Sequence, residues 1–342
     1  MLTVVSPYGA NAPSTRVRAY NWASHLGLDI EKVEFAGHSN SRPETLLRDP
    51  VKVAAAACRV RARAAQPVDS LLLSREASPF SRGGLEELFI RRANRSIYDF
   101  DDALFADQKG WRQLLGKESK CRRAATAADV VVAGNELLAD WATQYSGDVR
   151  LIPSCVEPAA YTQKATWQMA TPPRLVWLGS ASTEDFARQI AGSLQQVHES
   201  TGARLTLISA PRVREWPELA QFTDRAPWSL DTFGRTLAEA DLAIAPLADT
   251  LYSRGKCAYK LLQYAATGLP MIGSPVGANA LALQRFDGIS ATCANEWVDA
   301  LIALISEGAA RRESRGKTAM GAVKNHYSFS AWQGEWTQAV IP

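Results

Sequence analysis

The sequence predicts an α/β protein made of two doubly wound parallel-sheet domains that face a cleft. Three observations lead there. Short apolar runs alternate with helix-length stretches along nearly the whole chain, which is the pattern of βαβ units. That pattern lapses in a stretch from Pro153 to Pro173 that holds four prolines, and starts afresh at Leu175-Val176-Trp177-Leu178-Gly179-Ser180. The length of 342 residues fits two domains at roughly 100–200 residues each. The expected organisation is a first domain over 1–155, a linker over 156–173 and a second domain over 174–325.

In the first domain the strand candidates are Leu2–Ser6, Ser70–Leu73, Arg95–Tyr98, Asp129–Ala133 and Val149–Ile152, each short and apolar. Helical stretches are expected at 16–27, 84–93, 112–128 and 135–145. In the second domain the strands are Arg174–Leu178, Arg204–Ile208, Asp241–Ala245 and Leu269–Ile272, with helices at 184–199, 231–240, 256–267 and 296–308. In such sheets ligands bind at the carboxyl ends of the strands. The loops after those strands are therefore where chemistry is sought.

Composition excludes several classes. A hydrophobic share of 46% with 21% charged residues is that of a globular protein, not a disordered or fibrous one. No run approaches the ~18 apolar residues of a membrane span, and Met1-Leu2-Thr3-Val4-Val5-Ser6 lacks the basic start of a signal peptide. The five cysteines are scattered, so reduced thiols in a cytoplasmic protein are expected rather than disulfides or a zinc site. The net charge of +3 lies wholly within residues 1–155. It is too small for a nucleic-acid binder and compatible with an anionic acceptor or weak peripheral membrane contact.

The segment Arg254-Gly255-Lys256-Cys257-Ala258-Tyr259-Lys260-Leu261-Leu262-Gln263-Tyr264-Ala265 carries the strongest signal. On a helix over 256–267, Cys257, Leu261, Tyr264 and Ala265 form a buried face, and Lys256, Lys260 and Gln263 a polar stripe. Arg254 and Lys256 then stand at or before the helix N-terminus, where the dipole disfavours a cation by ~0.3–1 kcal/mol. A bound anion reverses that balance; a solvated basic face accounts for the same lysines. The loop Gly179-Ser180-Ala181-Ser182-Thr183-Glu184-Asp185 offers small residues and hydroxyls to a phosphate, or else Ser182 or Thr183 caps the next helix.

In the first domain, the loop after the first strand holds Gly9, Arg16 and Arg18, with Ser14 as a helix-cap candidate. The two arginines suit an anionic acceptor group, and the stretch also reads as an ordinary loop. At a later strand end stands Tyr98-Asp99-Phe100-Asp101-Asp102. Carboxylates there serve as a general base or hold a metal, and Asp99-Phe100-Asp101 is literally an Asp-x-Asp. An aspartate capping the next turn is the plainer alternative.

Together these segments resemble the GT-B glycosyltransferases of the large family four group. The resembling pieces are Ile97–Asp102, Val132-Ala133-Gly134-Asn135-Glu136, Leu151–Glu157, Val176–Ser180, Ala240–Leu247, Gly255–Pro270 and Ser274–Asn279, in family order. The resemblance implies two Rossmann-like domains, a nucleotide-sugar held mainly by the second and an acceptor held by the first. It also implies a C-terminal helix crossing back to the first domain. Residues 326–342, with Trp332 and Trp336 one turn apart, fit that helix.

The sequence departs from the family at two points. Aligned on Ala265-Ala266-Thr267-Gly268, Gly255 and Gln263 stand where many members carry a Glu-x7-Glu pair. Ser180–Phe186 also lacks the usual cations. Arg254, Lys256 and Lys260 are expected to supply the diphosphate charge instead, with backbone N–H groups at Gly179–Ser180 and near Gly255 completing the cradle. The implied activity is metal-independent transfer of a sugar, a hexosyl unit by class, from a nucleotide-diphosphate donor to a hydroxyl acceptor, without a bound cofactor. Asp101 or Asp102 is the candidate base, and Lys256 would neutralise the leaving group. A sugar-nucleotide epimerase, or a non-catalytic sugar-nucleotide or glycan binder of the same fold, are the competing readings.

Overall fold

The computed structural model describes residues 1–37, 46–106, 116–181, 183–209 and 217–341. They fall into two compact units. The first comprises Met1–Cys155, Arg254–Cys257 and Trp332–Pro342; the second comprises Val156–Ser253 and Ala258–Ala331.

The first unit is built on β1 (Leu2–Ser6), β2 (Ile30–Glu34), β3 (Val68–Ser74), β4 (Ala93–Phe100), β5 (Val130–Ala133) and β6 (Val149–Leu151). They form one six-stranded parallel sheet in the order β2-β1-β3-β4-β5-β6. Alternate residues such as Leu71 and Leu73 of β3 and Tyr98 and Phe100 of β4 enter a core shared with Val60, Phe89 and Ala124. These last come from α1 (Pro50–Ala64), α2 (Gly84–Arg92) and α3 (Lys117–Ala127). Each such leucine or phenylalanine contributes about 1.5–3 kcal/mol by leaving water. Helix α4 (Glu136–Ala142) follows β5 directly and is capped by Asn135, whose side chain accepts from Leu138 N.

The second unit repeats the scheme with β7 (Arg174–Leu178), β8 (Arg204–Ser209), β9 (Thr223–Pro227), β10 (Leu242–Ala245), β11 (Met271–Gly273) and β12 (Ile289–Ser290), ordered β12-β11-β10-β7-β8-β9. Strand periodicity sends Leu175 and Trp177 to one face and Val176 and Leu178 to the other. The first face packs on α5 (Ala191–Thr201) and, later in the chain, α8 (Ala294–Ser306). The opposite face packs on α6 (Phe233–Glu239), α7 (Tyr259–Thr267) and α9 (Ala309–Tyr327). Both faces are covered, as a parallel sheet requires.

A last helix, α10 (Phe329–Val340), follows a break at Ser328. Trp336 lies in the first unit, where it stacks on Trp22 with ring centroids 5.0 Å apart. Nearby, Arg95 Nη2 donates to Ala339 O at 2.9 Å.

Several boundaries differ from the sequence reading. The helix expected over 256–267 begins only at Tyr259, because Ala258 takes a left-handed backbone with φ 54° and breaks the helical path. The expected 112–128 helix runs over Lys117–Ala127, and residues 107–115 lie outside the described part. Residues 156–173 contain no strand of the sheet, yet they are bound along the second unit. Lys164 N donates to Thr267 O at 2.9 Å and Trp167 Nε1 to Gly268 O at 2.8 Å. Buried Lys164 also donates through Nζ to Ala238 O and Ala240 O, satisfying the carboxyl end of α6.

Candidate active site

Two clusters stand at the carboxyl ends of strands, one in each unit. In the first unit β4 ends in Asp99-Phe100, followed by Asp101-Asp102. Asp99 points away from solvent. Both its oxygens accept from Arg18, at 2.6 Å to Nη2 and 3.2 Å to Nε, and both side chains are about 1–2% exposed. Arg18 sits on a π-helical turn, Arg16–Tyr20, and also donates to Ile152 O at 2.8 Å. The expectation that Arg18 holds an anionic acceptor is therefore corrected: its charge is neutralised inside the unit. Arg16 is partly exposed and donates to Ala10 O at 2.9 Å, while Gly9 N donates to Gly37 O at 2.6 Å. A Cβ on Gly9 would stand 2.6 Å from Glu34 Oε2, so the loop closes only over glycine.

Asp101 and Asp102 are mostly buried and are bridged by Arg75, which sequence reasoning missed. Arg75 Nη1 donates to Asp102 Oδ2 at 2.9 Å, to Ser14 Oγ at 2.6 Å and lies 3.5 Å from Asp101 Oδ1. Its backbone is left-handed, φ 68°, and its N–H donates to Asp99 O at 2.7 Å. Strain of this kind on a non-glycine residue gathers at functional sites. The available signal was positional: Arg75 directly follows Leu71-Leu72-Leu73-Ser74, at a strand's carboxyl end. Ser14, expected as a helix cap, is instead part of this cluster.

Lys256 joins from the other side, its Nζ 3.2 Å from Asp102 Oδ1. Burial alone would raise the Asp102 carboxyl, but the Lys256 and Arg75 charges hold it below the ordinary aspartate range. Asp101 is the opposite case. Burial raises its carboxyl, Arg75 pulls it back, and the neighbouring Asp102 charge raises it again, leaving it above the ordinary value. The pair thus divides into a fixed anion and a carboxyl suited to exchange a proton.

The second cluster is in the second unit. Trp177 lies one residue before the end of β7, and the chain passes at Gly179 against its ring: a Cβ there would collide with Trp177 and stand 2.9 Å from Lys260 Nζ. Lys260, in the first turn of α7, lays its ammonium over the Trp177 ring at 4.3 Å from the centroid and reaches Thr183 Oγ1 at 3.5 Å. Thr183 folds back on Ser180, its N–H and hydroxyl both donating to Ser180 O, at 2.8 and 3.0 Å. Among the described residues, the residue before α7, Ala258, offers no side-chain cap to its N-terminus. Gln263, one turn further on, is 7% exposed. Ser182 lies outside the described residues.

The expected single stripe of Lys256, Lys260 and Gln263 is thereby split. With the helix starting at Tyr259, Lys256 lies outside it and belongs to the first cluster, and Lys260 to the second. The cradle expected from N–H groups at Gly179–Ser180 is also narrower. Gly179 N already donates to Ile208 O at 3.0 Å, and Gly255 stands before the helix, not at its start. Gly255 serves close packing, since a Cβ would stand 2.7 Å from Ala103 N. Arg254 is exposed and offers its carbonyl to Asn135 at 3.4 Å.

The whole chain superposes on the crystal structure of WaaG, a glycosyltransferase involved in lipopolysaccharide biosynthesis, with TM-score 0.69, 12% identity and full coverage of both chains. An alpha,alpha-trehalose 6-phosphate synthase from Burkholderia multivorans gives 0.67 at 11% identity, covering 99% of this chain and 98% of that one. A TarM variant from S. aureus, solved with Fondaparinux, alpha-GlcNAc-glycerol and UDP, gives 0.59 at 11% identity over 80% and 55% of the two chains. The fold is GT-B. No protein-family model matches the sequence, and neither does any curated protein. The GT-B fold shown here places neutral Gly255 and Gln263 in the segment before and within α7, and a cation, Lys260, against the loop after β7. No described helix is long and apolar enough to cross a membrane.

Proposed function

We propose that the protein is a glycosyltransferase that moves a hexosyl unit from a nucleoside-diphosphate donor to a hydroxyl acceptor without a metal ion. The observation that carries this reading is Lys260. The loop after β7 has no cation of its own, and Lys260 delivers one to it from α7, over Trp177 and beside Gly179 and Thr183. A diphosphate would meet the ammonium, the Ser180 hydroxyl and the N-terminus of α7 together. As the sugar leaves, the charge building on the diphosphate is stabilised by groups already in place.

Asp101 is the proposed acceptor of the hydroxyl proton, with Asp102 kept anionic by Arg75 and Lys256 to fix the local charge. The Asp-x-Asp does not support a metal site, because both Asp99 oxygens are taken by Arg18. UDP in the TarM complex is the donor product expected of this chemistry.

The test is a thermal-shift screen with UDP-, GDP-, dTDP- and CMP-sugars, followed by assay of nucleotide release with EDTA present. One diphosphate sugar should stabilise the protein by about 2.7 kcal/mol at 100 times its dissociation constant, and release of its nucleoside diphosphate should persist in EDTA. Turnover of the donor with no diphosphate released would favour an epimerase. Binding without turnover across a broad acceptor panel would favour a non-catalytic binder, which the neutral Gly255 and Gln263 would suit.

A further inference from the structure

Lys256 lies just past a short helix, Leu251–Arg254, on a stretch with no helix or strand of its own, and Asn135 grips the backbone of that stretch. The amide serves two elements at once. Its Oδ1 accepts from Leu138 N at 3.0 Å as the cap of α4, which leaves Nδ2 facing the segment. Nδ2 donates to Lys256 O at 3.1 Å and to Arg254 O at 3.4 Å. Asn135 is itself 7% exposed, so these bonds are made with little competition from water.

The surroundings tighten the grip. Cys257 Sγ donates to Asp101 O at 3.2 Å, and a side chain at Gly134 would collide with that sulfur. Gly255 packs on the Ala103 backbone. The Lys256 carbonyl itself is bonded by Asn135. The two residues between β5 and α4 thus form a seat: Gly134 leaves room and Asn135 supplies the donors.

We propose that Asn135 is the positioning residue for Lys256, holding its backbone so that Nζ stays on Asp102. This rests on the reading of Lys256 and Asp102 as part of the reactive cluster, but its test needs no substrate. The cap and the grip use different atoms of one side chain, so substitutions separate them. Serine retains an N-cap oxygen and loses the Nδ2 donor; alanine loses both.

The experiment is competitive acetylation of the full-length protein, reading Lys256 and Lys260 by peptide mass spectrometry in wild type, Asn135→Ser, Asn135→Ala and Asp102→Asn. Asn135→Ser should raise Lys256 labelling at least about threefold, the scale of losing one or two ordinary hydrogen bonds, towards the level of Asp102→Asn. Lys260 should be unchanged. Asn135→Ala should match Asn135→Ser at Lys256 while melting at a lower temperature, because only alanine removes the cap. Wild-type labelling of Lys256 in Asn135→Ser would overturn the proposal, and so would a rise shared equally by Lys260. Either result leaves the glycosyltransferase reading untouched.

Discussion

Arg18 and Asp99, 81 residues apart in sequence, close on each other as a doubly bonded ion pair at 2.6 Å with almost no solvent access. The pair ties the π-helical turn after β1 to the end of β4, and the third arginine bond, to Ile152 O, adds the end of β6. Breaking such a pair leaves one buried charge uncompensated, at a cost of about 3–5 kcal/mol. Arg18→Ala should therefore lower stability by that amount in urea unfolding. The double change Arg18→Met with Asp99→Leu should recover much of it. A loss below about 1 kcal/mol in the single variant would return Arg18 to the role of a surface ligand.

Asp101 should set the acidic limb of activity. Its carboxyl stands above the ordinary aspartate value and a base works only when deprotonated, so turnover should rise as pH increases through that raised value. Asp101→Asn should lower turnover by about 10²–10⁴-fold with little change in donor binding. Asp102→Asn removes the fixed anion and the partner of Lys256, and it should shift the acidic limb to lower pH, because the charge that raises Asp101 is gone. A pH–rate profile of the two variants checks the assignment. Identical profiles with identical losses would refute the division of roles.

Lys164 should add an alkaline slope to stability. Burial pulls its ammonium down to about 8 from the ordinary 10.5. Between those values the unfolded chain binds more protons than the folded one, so this group makes stability rise with pH across that window. Measured against Lys164→Met, the wild type should gain on the order of 1 kcal/mol from pH 7.5 to pH 10, allowing for partial screening. A difference that is flat in pH would show that Lys164 titrates as an ordinary lysine.

The sheets were readable because their central strands are apolar: Leu2–Ser6, Arg174–Leu178 and Asp241–Ala245 mark β1, β7 and β10 to within a residue. The strands that escaped, β2, β9 and β12, are all at or near sheet edges. Ile30-Glu31-Lys32-Val33-Glu34 and Thr223-Asp224-Arg225-Ala226-Pro227 are half polar because one side of each meets solvent. Asp101, Asp102 and Lys256 were singled out by the carboxyl-end rule and the resemblance. Their mutual geometry was not, since Ala258's left-handed turn moves Lys256 off the helix that spacing drew for it. The contacts of Arg75 and Asn135 escaped for a related reason, although Arg75 stands at a strand end and Asn135 in a resembling segment. Each acts through one side chain reaching segments 26 to 121 residues away, and no local pattern encodes that.

Lys260 carries the central claim, and the direct measurement is the affinity of the donor's nucleoside diphosphate for wild type and Lys260→Met by titration calorimetry. In the free protein the substitution should be nearly silent. An N-terminal cation costs about 0.3–1 kcal/mol against the helix dipole, and its contact with Trp177 returns about 0.5–1 kcal/mol. Diphosphate binding should weaken by about 1.5–3 kcal/mol, the scale of a charged hydrogen bond, while the nucleoside without phosphates binds both forms alike. Unchanged diphosphate affinity in a stably folded Lys260→Met protein would contradict the account.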